Sequence, residues 1–271
     1  MAPPPDAGPG LKGFWDFGLP YVGGSFGIIW LMSNLNKKIV FFTGLLTALS
    51  LGHCPARAAE CAANDWADLH AYQADNVQVQ KTVPPDHRVV FMGDSITEFW
   101  DQDHRRLFAD PRYIDRGISG QTTPQMLLRF RQDVIALHPE VVMILAGTND
   151  IAGNSGPATD SMIEDNLASM SDLALQHNIR VVFGLILPAA GYSWAPDVRP
   201  VQRIAAINQW IRKYAKQYNL AIVDYYTPMA TSQGAMRHEY SEDGVHPNQA
   251  GYEVMEKLVK ATLPAPVAAA N

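Results

Sequence analysis

The feature that most constrains the fold is a regular alternation along the chain from about residue 64. Short, near-continuous apolar runs alternate with longer amphipathic stretches. Apolar runs of this kind are typical of strands buried on both faces, and the amphipathic stretches of helices that cover them. The sequence therefore predicts an α/β fold with a five-stranded parallel sheet. The predicted strands are 88–92, 113–116, 141–145, 180–187 and 221–223, and the predicted helices are 123–137, 160–177, 199–218 and 249–261.

The N-terminal part of the chain has the order of a secretory signal. Lys37 and Lys38 precede an uncharged run at 39–51, and Ala56-Arg57-Ala58 follows. A positive segment, a short apolar segment and small residues at a cleavage site are the three parts of a signal peptide. A membrane-spanning helix needs ~20 apolar residues, so a stable span is the weaker interpretation. We expect a secreted or periplasmic protein, cleaved near Ala58.

This interpretation divides the chain into three parts. Signal peptides lie at the N-terminus, so we expect Met32 to be the true start, with residues 1–31 belonging to a mis-called start or an extra N-terminal segment. The signal peptide is then 32–58, and 59–271 is a single catalytic domain. A lipoprotein with Cys54 as the lipidated residue remains an alternative, although His53 stands where a small residue is needed.

Composition excludes several classes of function. The chain has 271 residues and a net charge of -6, with 21 Lys and Arg against 27 Asp and Glu. It has no overall basic field, so nucleic acid is not an expected partner. Its two cysteines lack the paired spacing of a zinc site and cannot form a disulfide framework. We predict neither a metal nor a cofactor, and the sequence does not indicate an oligomeric state.

Ser95 is the first candidate catalytic residue. It directly follows a predicted strand, in the sequence Gly-Asp-Ser-Ile-Thr, at the carboxyl edge of the sheet where such folds bind ligands. Backbone amides and a helix N-terminus at that position favour developing negative charge, which suits a nucleophile. The alternative is structural, because Ser95 and Glu98 also have the spacing of a capping box.

Asp243 and His246 strengthen the catalytic interpretation. A serine hydroxyl is a poor nucleophile unless a base accepts its proton, and a carboxylate commonly holds that base in one tautomer. Three residues apart on a Gly-containing loop, Asp243 and His246 can contact each other locally. We expect the other seven histidines to be surface residues or to be satisfied without a comparable partner: His53, His70, His87, His104, His138, His177 and His238.

Two further loops carry candidate donors for an oxyanion. Acyl transfer needs hydrogen-bond donors at the carbonyl oxygen, and glycine amides and amide side chains commonly supply them. Gly120 and Asn149 both follow predicted strands. Each has a structural alternative, a turn with positive φ for the glycine and a cap or turn for the asparagine.

Taken together, these loops resemble the SGNH hydrolases, the GDSL esterase and lipase family. The four blocks are GDSIT with Ser95, RGISGQTT with Gly120, AGTND with Asn149, and DGVHPN with Asp243 and His246. The resemblance implies a flavodoxin-like three-layer α/β/α sandwich and a serine ester hydrolase without a cofactor. It implies that Ser95 attacks the ester, His246 transfers the proton and Asp243 orients His246. The N–H groups of Ser95 and Gly120 and the amide of Asn149 would form the oxyanion hole.

The resemblance runs over about 89–252 and departs from the family name in one place. Ile96 stands where the name has leucine, an apolar exchange that should leave the serine in place. Asp94 and Asp150 are expected to be structural residues that bond to nearby loop amides.

The substrate is predicted less directly. The segment 188–197 at the carboxyl edge offers aromatic surface, and no long hydrophobic lid is visible. We expect a short acyl group, acetyl above all, on a small-molecule or carbohydrate ester. A thioesterase or lysophospholipase for longer chains, and a catalytically silent glycan-binding module, are the alternatives. The residues predicted to line the substrate pocket are Trp100, Ile151, Tyr192, Trp194 and Tyr226.

Overall fold

A computed structural model describes residues 65–82, 87–104 and 106–263. Residues 1–31, the predicted signal peptide 32–58 and the predicted cleavage position Ala58 lie outside the described residues. Within the described residues a five-stranded sheet forms, with all pairs parallel and the strand order β2-β1-β3-β4-β5. The strands are β1 (Val89–Gly93), β2 (Tyr113–Gly117), β3 (Val141–Leu145), β4 (Arg180–Gly184) and β5 (Ala221–Val223).

Helices connect and cover these strands. Three of them, α3, α5 and α6, are the long crossovers predicted from helical spacing, and α8 is the predicted last helix. The helices are α1 (Gln73–Lys81), α2 (Ser95–Gln102), α3 (Thr123–Asp133), α4 (Thr148–Ala152), α5 (Asp160–Gln176), α6 (Val201–Tyr218), α7 (Tyr226–Met229) and α8 (Gln249–Thr262), with 3₁₀ turns at Ile135–Leu137 and His238–Tyr240.

The sheet separates two hydrophobic cores, which makes the described fold three-layered. Side chains on a strand alternate between the two faces, so neighbouring strand residues belong to different cores. Val90 packs in the core under α3, α5 and α6, whereas Phe91 packs in the core under α2 and α8. The predicted three-layer α/β/α sandwich is thereby confirmed.

Two predicted elements end earlier than expected. The predicted helix 123–137 is α3 followed by a separate 3₁₀ turn, because Val134 leaves helical geometry at φ -124 and ψ -67. The predicted strand 180–187 ends at Gly184, although residues 185–187 remain buried. An apolar run in the sequence indicates that residues are buried, but it does not show where strand pairing ends. Here the residues directly after Gly184 stay buried although they lie beyond the end of the strand.

The segment 65–82 precedes the sheet and contacts α3 near both of its ends. The side chain of Gln125 donates to the carbonyl of Trp66 at 2.6 Å, and Gln132 donates to the carbonyl of Leu69 at 2.6 Å. Helix α1 was not predicted, because its residues QADNVQVQK have no apolar stripe and its one buried residue is Asn76.

The helix that begins with Ser95 packs tightly on the neighbouring strand. At Gly117, a Cβ atom would lie 2.3 Å from the backbone nitrogen of Glu98, closer than any real contact. Glycine at this position therefore lets α2 approach β2, and this contact sets where α2 begins over the sheet.

Across the three described segments, no helix is long and apolar enough to cross a membrane.

Candidate active site

Ser95 is the first residue of α2, immediately after β1. Asp94, rather than Ser95, caps the helix, because the Asp94 Oδ1 atom accepts from the backbone N–H of Ile96 at 3.0 Å. The capping-box alternative for Ser95 is therefore wrong, and the hydroxyl is free to point elsewhere. As the first helical residue, Ser95 also has a backbone N–H without an intrahelical acceptor.

The Ser95 hydroxyl meets the loop that precedes α8. Ser95 Oγ lies 2.9 Å from His246 Nε2, and His246 Nδ1 lies 2.7 Å from Asp243 Oδ2. Ser95 is 9% exposed, and the His246 side chain is 26% exposed. Both contacts are within hydrogen-bond distance and form a continuous path from hydroxyl to carboxylate.

The conformation of the loop holds Asp243 in place. The other carboxylate oxygen, Oδ1, accepts from the backbone N–H groups of Val245 and His246, each at 2.8 Å, and from Ser241 Oγ at 3.0 Å. Gly244 has φ +79, a value that lets the chain turn back so tightly. Partial burial opposes ionisation, but the hydrogen bonds from His246 and these N–H groups lower the pKa of Asp243 to about 2. Asp243 is thus an anion at neutral pH.

Gly120 and Asn149 line the cavity that Ser95 and His246 also line. Gly120 has φ +77, so the backbone adopts the left-handed conformation that glycine allows. Asn149 is 4% exposed, and its Nδ2 donates to the carbonyl of Gln121 at 3.0 Å. The structure therefore brings Ser95, Gly120 and Asn149 together around one cavity.

Polar contacts behind the site fix the loop 118–122, which carries Gly120. Glu98 of α2 accepts from the backbone N–H of Ser119 at 2.7 Å. Gln121 is 1% exposed, and its side chain accepts from Arg129 Nε at 2.6 Å and donates to the carbonyl of Ala67 at 2.8 Å. Arg129 also donates to the carbonyl of Gly93, at the end of β1, at 3.1 Å. The loop is thus tied to both the sheet and the segment 65–82.

Asp94 and Asp150 make the loop contacts expected of them. Asp150 accepts from the backbone N–H of Thr123 at 2.9 Å and from the Thr123 hydroxyl at 2.6 Å. Asp94 lies 3.4 Å from Asn149 Nδ2 and is 1% exposed. Burial raises the pKa of Asp94 to about 6 and also raises that of Asp150, where the Thr123 hydrogen bonds oppose it.

The cavity at Ser95 has a volume of about 260 Å³. Its walls include polar groups that face the reacting atoms and two aromatic rings. The lining residues are Ser95, Phe99, Ser119, Gly120, Asn149, Asn154, Trp194 and His246.

The predicted pocket residues divide between wall and core. Trp194 lines the cavity, is 42% exposed and stacks on Tyr192 with ring centroids 5.1 Å apart. Tyr192 is buried behind it and does not line the cavity. Trp100 packs in the core against Tyr252, and Ile151 is 2% exposed in the other core. The structure does not place Trp100, Ile151, Tyr192 or Tyr226 in the cavity wall, which corrects the prediction for those four.

Three residues that line the cavity were not predicted from the sequence. They are Phe99, Ser119 and Asn154. Phe99 is four residues after Ser95, and on a helix residues four apart share a face. That spacing was a signal for Phe99, whereas Trp100, five residues after Ser95, turns towards the core. Ser119 and Asn154 lie in loops, where no periodicity marks the direction of a side chain.

A second cavity lies on the other side of His246. It has a volume of about 730 Å³ and is lined by Glu242, Asp243, Glu253 and neighbouring polar residues of the loop and α8. It is larger than the cavity at Ser95, but it does not include the nucleophile candidate or the oxyanion donors. Ser95, Gly120 and Asn149 therefore meet in the smaller cavity and not in this one.

Two other histidines also contact carboxylates, contrary to expectation. His70 Nδ1 lies 2.7 Å from Asp65 Oδ2, and His87 Nδ1 contacts Glu140. Neither pair lines the cavity at Ser95. Among the described residues, no group of three or more His, Cys, Asp or Glu side chains has the arrangement of a metal site.

Comparison with known proteins places the chain among ester hydrolases. A sequence profile of the GDSL-like lipase/acylhydrolase family matches residues 91–254. A GDSL-like lipase from Bacteroides thetaiotaomicron is 43% identical, with 72% of this chain and 96% of that chain covered and a TM-score of 0.70. The lipase/acylhydrolase from Enterococcus faecalis is 26% identical, with 66% and 98% covered and a TM-score of 0.52. An acetylxylan esterase from Geobacillus stearothermophilus is 25% identical over 155 residues, 54% of this chain and 69% of its own.

Proposed function

Because the chain belongs to the GDSL-like lipase/acylhydrolase family and is an ester hydrolase, we propose that it cleaves short-chain acyl esters, acetyl esters above all, through an acyl intermediate on Ser95. One observation carries this proposal. The hydroxyl of Ser95, the imidazole of His246 and the carboxylate of Asp243 form a continuous chain of contacts of 2.9 and 2.7 Å. Such a chain supplies a nucleophile, a base and the group that orients the base.

The first half of the reaction forms the acyl-enzyme. Ser95 Oγ bonds to the ester carbonyl carbon while its proton passes to His246 Nε2. The tetrahedral intermediate then collapses, the bond between carbon and the alcohol oxygen breaks, and His246 gives the proton to the departing alcohol. Ionised Asp243 stabilises the imidazolium between these two steps.

The second half returns the free enzyme. A water molecule gives a proton to His246 Nε2 as its oxygen attacks the acyl carbon. The intermediate releases Ser95 Oγ, which takes the proton back, and the carboxylic acid leaves. In both halves the negative charge on the carbonyl oxygen is stabilised by the N–H groups of Ser95 and Gly120 and by Asn149 Nδ2.

Cavity size supports a short acyl group. The cavity has a volume of about 260 Å³, and the rings of Phe99 and Trp194 form part of its wall. An acetyl group fits such a space, whereas a long alkyl chain would have to leave it. The acetylxylan esterase relative supports a carbohydrate ester, and the exposed ring of Trp194 gives a sugar a flat apolar surface.

A hydrolysis assay with matched serine variants tests the mechanism. Wild type is expected to hydrolyse p-nitrophenyl acetate, and Ser95→Ala is expected to lose that activity with its circular dichroism unchanged. Ser169→Ala removes an exposed hydroxyl on α5 and serves as the control. Unchanged turnover in Ser95→Ala, or no covalent adduct of a fluorophosphonate probe at Ser95, would contradict the proposal.

A series of p-nitrophenyl esters from acetyl to palmitoyl tests the acyl length. We expect kcat/KM to fall as the chain lengthens. A preference that rises beyond octanoyl would instead indicate an acylhydrolase for long chains, such as a lysophospholipase.

We also propose that the protein is exported, with cleavage near Ala58. The order of Lys37, Lys38 and the apolar run 39–51 supports this. N-terminal sequencing of the protein from the culture medium or periplasm tests it, and an intact N-terminus on exported protein would contradict cleavage.

A further inference from the structure

Asn154 connects two of the oxyanion donors to the aromatic wall of the cavity. Its Nδ2 donates to Asn149 Oδ1 at 2.9 Å and to the carbonyl of Gly120 at 3.1 Å, and its Oδ1 accepts from Trp194 Nε1 at 3.1 Å. We propose that Asn154 is a positioning residue, which holds the amide of Asn149 and the peptide of Gly120 in the orientation that stabilises the oxyanion. This inference rests on the proposed function.

The partners of Asn154 permit only one orientation of its amide. The indole N–H of Trp194 can only donate, whereas the carbonyl of Gly120 can only accept. The opposite orientation would place donor against donor and acceptor against acceptor. The three contacts therefore fix Nδ2 towards the oxyanion donors.

Asn154 in turn fixes the amide of Asn149. Because Asn149 Oδ1 accepts from Asn154, its Nδ2 faces the other way, towards Gln121 and the cavity. One hydrogen of that Nδ2 is donated to the carbonyl of Gln121 at 3.0 Å, and the contact with Asp94 is long, at 3.4 Å. A normal hydrogen bond of this type is shorter than 3.2 Å, so the second hydrogen is weakly engaged. It is the one available to an oxyanion.

A flipped Asn149 would present Oδ1 to the oxyanion and repel it. Gln121 opposes this flip from one side and Asn154 from the other. Removal of Asn154 should therefore weaken the oxyanion hole without abolishing it.

Gly120 is held by the same side chain. Gly120 adopts a left-handed backbone conformation with φ +77, and Asn154 Nδ2 donates to its carbonyl. This contact restricts rotation of the 120–121 peptide and so steadies the loop that presents the Gly120 N–H.

The location of Asn154 makes this idea testable. It is exposed and follows Gly153, which ends α4 with φ +82, and its backbone N–H donates to the carbonyl of Asn149 at 3.0 Å. The backbone thus fixes its position, and replacing the side chain leaves both hydrophobic cores unchanged.

Steady-state kinetics on p-nitrophenyl acetate with Asn154→Ala and Asn154→Asp test the role. We expect kcat to fall about tenfold in Asn154→Ala and about a hundredfold in Asn154→Asp, which adds a negative charge beside the oxyanion. KM should stay within about threefold, because the lost interaction belongs to the transition state. Asn178→Asp, an exposed asparagine at the far edge of the sheet, adds the same charge and should keep kcat within about twofold of wild type.

A double-mutant cycle separates positioning from a general structural effect. In an Asn149→Ala background, Asn154→Ala should lower kcat by clearly less than about tenfold, since one of the two groups it orients is gone and only the Gly120 peptide remains. Should the Asn154 variants not fold, Trp194→Phe removes the indole N–H that Asn154 accepts, together with part of the ring, and tests the same coupling. Its kcat loss should be smaller and should shrink further in Asn149→Ala.

Three results would overturn the inference. They are an unchanged kcat in both Asn154 variants, a raised KM with unchanged kcat, and additive losses in the cycle. Ser95→Ala keeps the two proposals distinguishable. Retained turnover in Ser95→Ala removes the proposed function, whereas its loss together with an unchanged kcat in the Asn154 variants removes only the role of Asn154.

Discussion

Ser95 Oγ lies 2.9 Å from His246 Nε2, although 151 residues separate them in the chain. The carboxylate on the other side of the imidazole, that of Asp243, comes from the same loop only three residues earlier. The base and its orienting group are therefore built as one local unit, which the fold then brings to the end of β1. This arrangement lets the unit be perturbed without moving the nucleophile.

Asp243→Asn should disable the base while preserving the loop. Asparagine Oδ1 can still accept from the N–H groups of Val245 and His246, but its Nδ2 would face His246 Nδ1. That nitrogen would then have to accept, which places the proton on Nε2 and leaves no base for Ser95. We expect kcat on p-nitrophenyl acetate to fall by up to about 10⁴-fold.

Glu242→Gln provides the control for this prediction. It makes the same change of charge one residue away, on a side chain that faces solvent and the larger cavity. We expect kcat within about twofold of wild type. Equal losses of kcat in the two variants would mean that Asp243 acts only through its negative charge and not through its contact with His246.

Gly120→Ala should reduce activity through the backbone. With φ +77, alanine is strained there by about 1 kcal/mol or more, although its Cβ would have space, 3.7 Å from Asn154 Nδ2. The loop is expected to relax and move the Gly120 N–H, so kcat should fall at least about tenfold with a small loss of stability. Gly191→Ala, where φ is not positive and no atom lies within 4 Å of the added Cβ, should change neither quantity.

The sequence predicted those parts of the fold that depend on local periodicity. Continuous apolar runs located β1 and β3 well, because strands buried on both faces leave no room for polar side chains. The loops at the carboxyl edge then placed Ser95, Gly120 and Asn149 near one another. It did not predict α1, whose stability comes from polar contacts such as the 2.6 Å bond between Asn76 Nδ2 and Asp133 Oδ1.

The direction of side chains was the part that sequence could not supply. Trp100 was predicted to line the pocket. It lies on the face of α2 that packs into the core, where its ring stacks on Tyr252. Asn154 had no pattern to mark it, since its importance comes from three partners in three different segments. Such contacts depend on the final packing of loops, which local spacing does not encode.

Trp194→Ala should broaden the acyl specificity. The ring forms the outer wall of the cavity, and its removal opens space beyond the carbonyl carbon. We expect the ratio of kcat/KM for octanoate to that for acetate to rise by about tenfold, the order expected for one large apolar contact. Trp66→Ala removes another exposed tryptophan, from the segment 65–82, and should leave the ratio unchanged. A constant ratio in Trp194→Ala would place the acyl group elsewhere.

Asp94→Asn should change how stability depends on pH. Burial raises the pKa of folded Asp94 to about 6, above the unfolded value of 3.8, so the folded state binds this proton more tightly. The stability contributed by Asp94 is then fully present below pH 3.8 and lost as the pH rises through 6. Relative to Asp94→Asn, which keeps an acceptor for the Ile96 N–H, the wild-type free energy of unfolding should decrease between pH 4 and 7. Urea denaturation at four pH values measures this, and parallel curves would contradict it.

Arg129→Met should strongly destabilise the fold. Arg129 and Asp133 are both fully buried, 3.1 Å apart, and Arg129 also binds the strand-end carbonyl of Gly93 and the side chain of Gln121. Removing the cation leaves the buried Asp133 carboxylate without compensation, which costs about 3–5 kcal/mol. Arg131→Met, an exposed position on the same helix, should cost less than about 0.5 kcal/mol. Adding Asp133→Leu removes the unpaired charge, although it also removes the acceptor of Asn76 Nδ2, and should recover part of the loss measured by urea denaturation. No recovery would assign the cost to the hydrogen bonds of Arg129 with Gly93 and Gln121 and of Asp133 with Asn76.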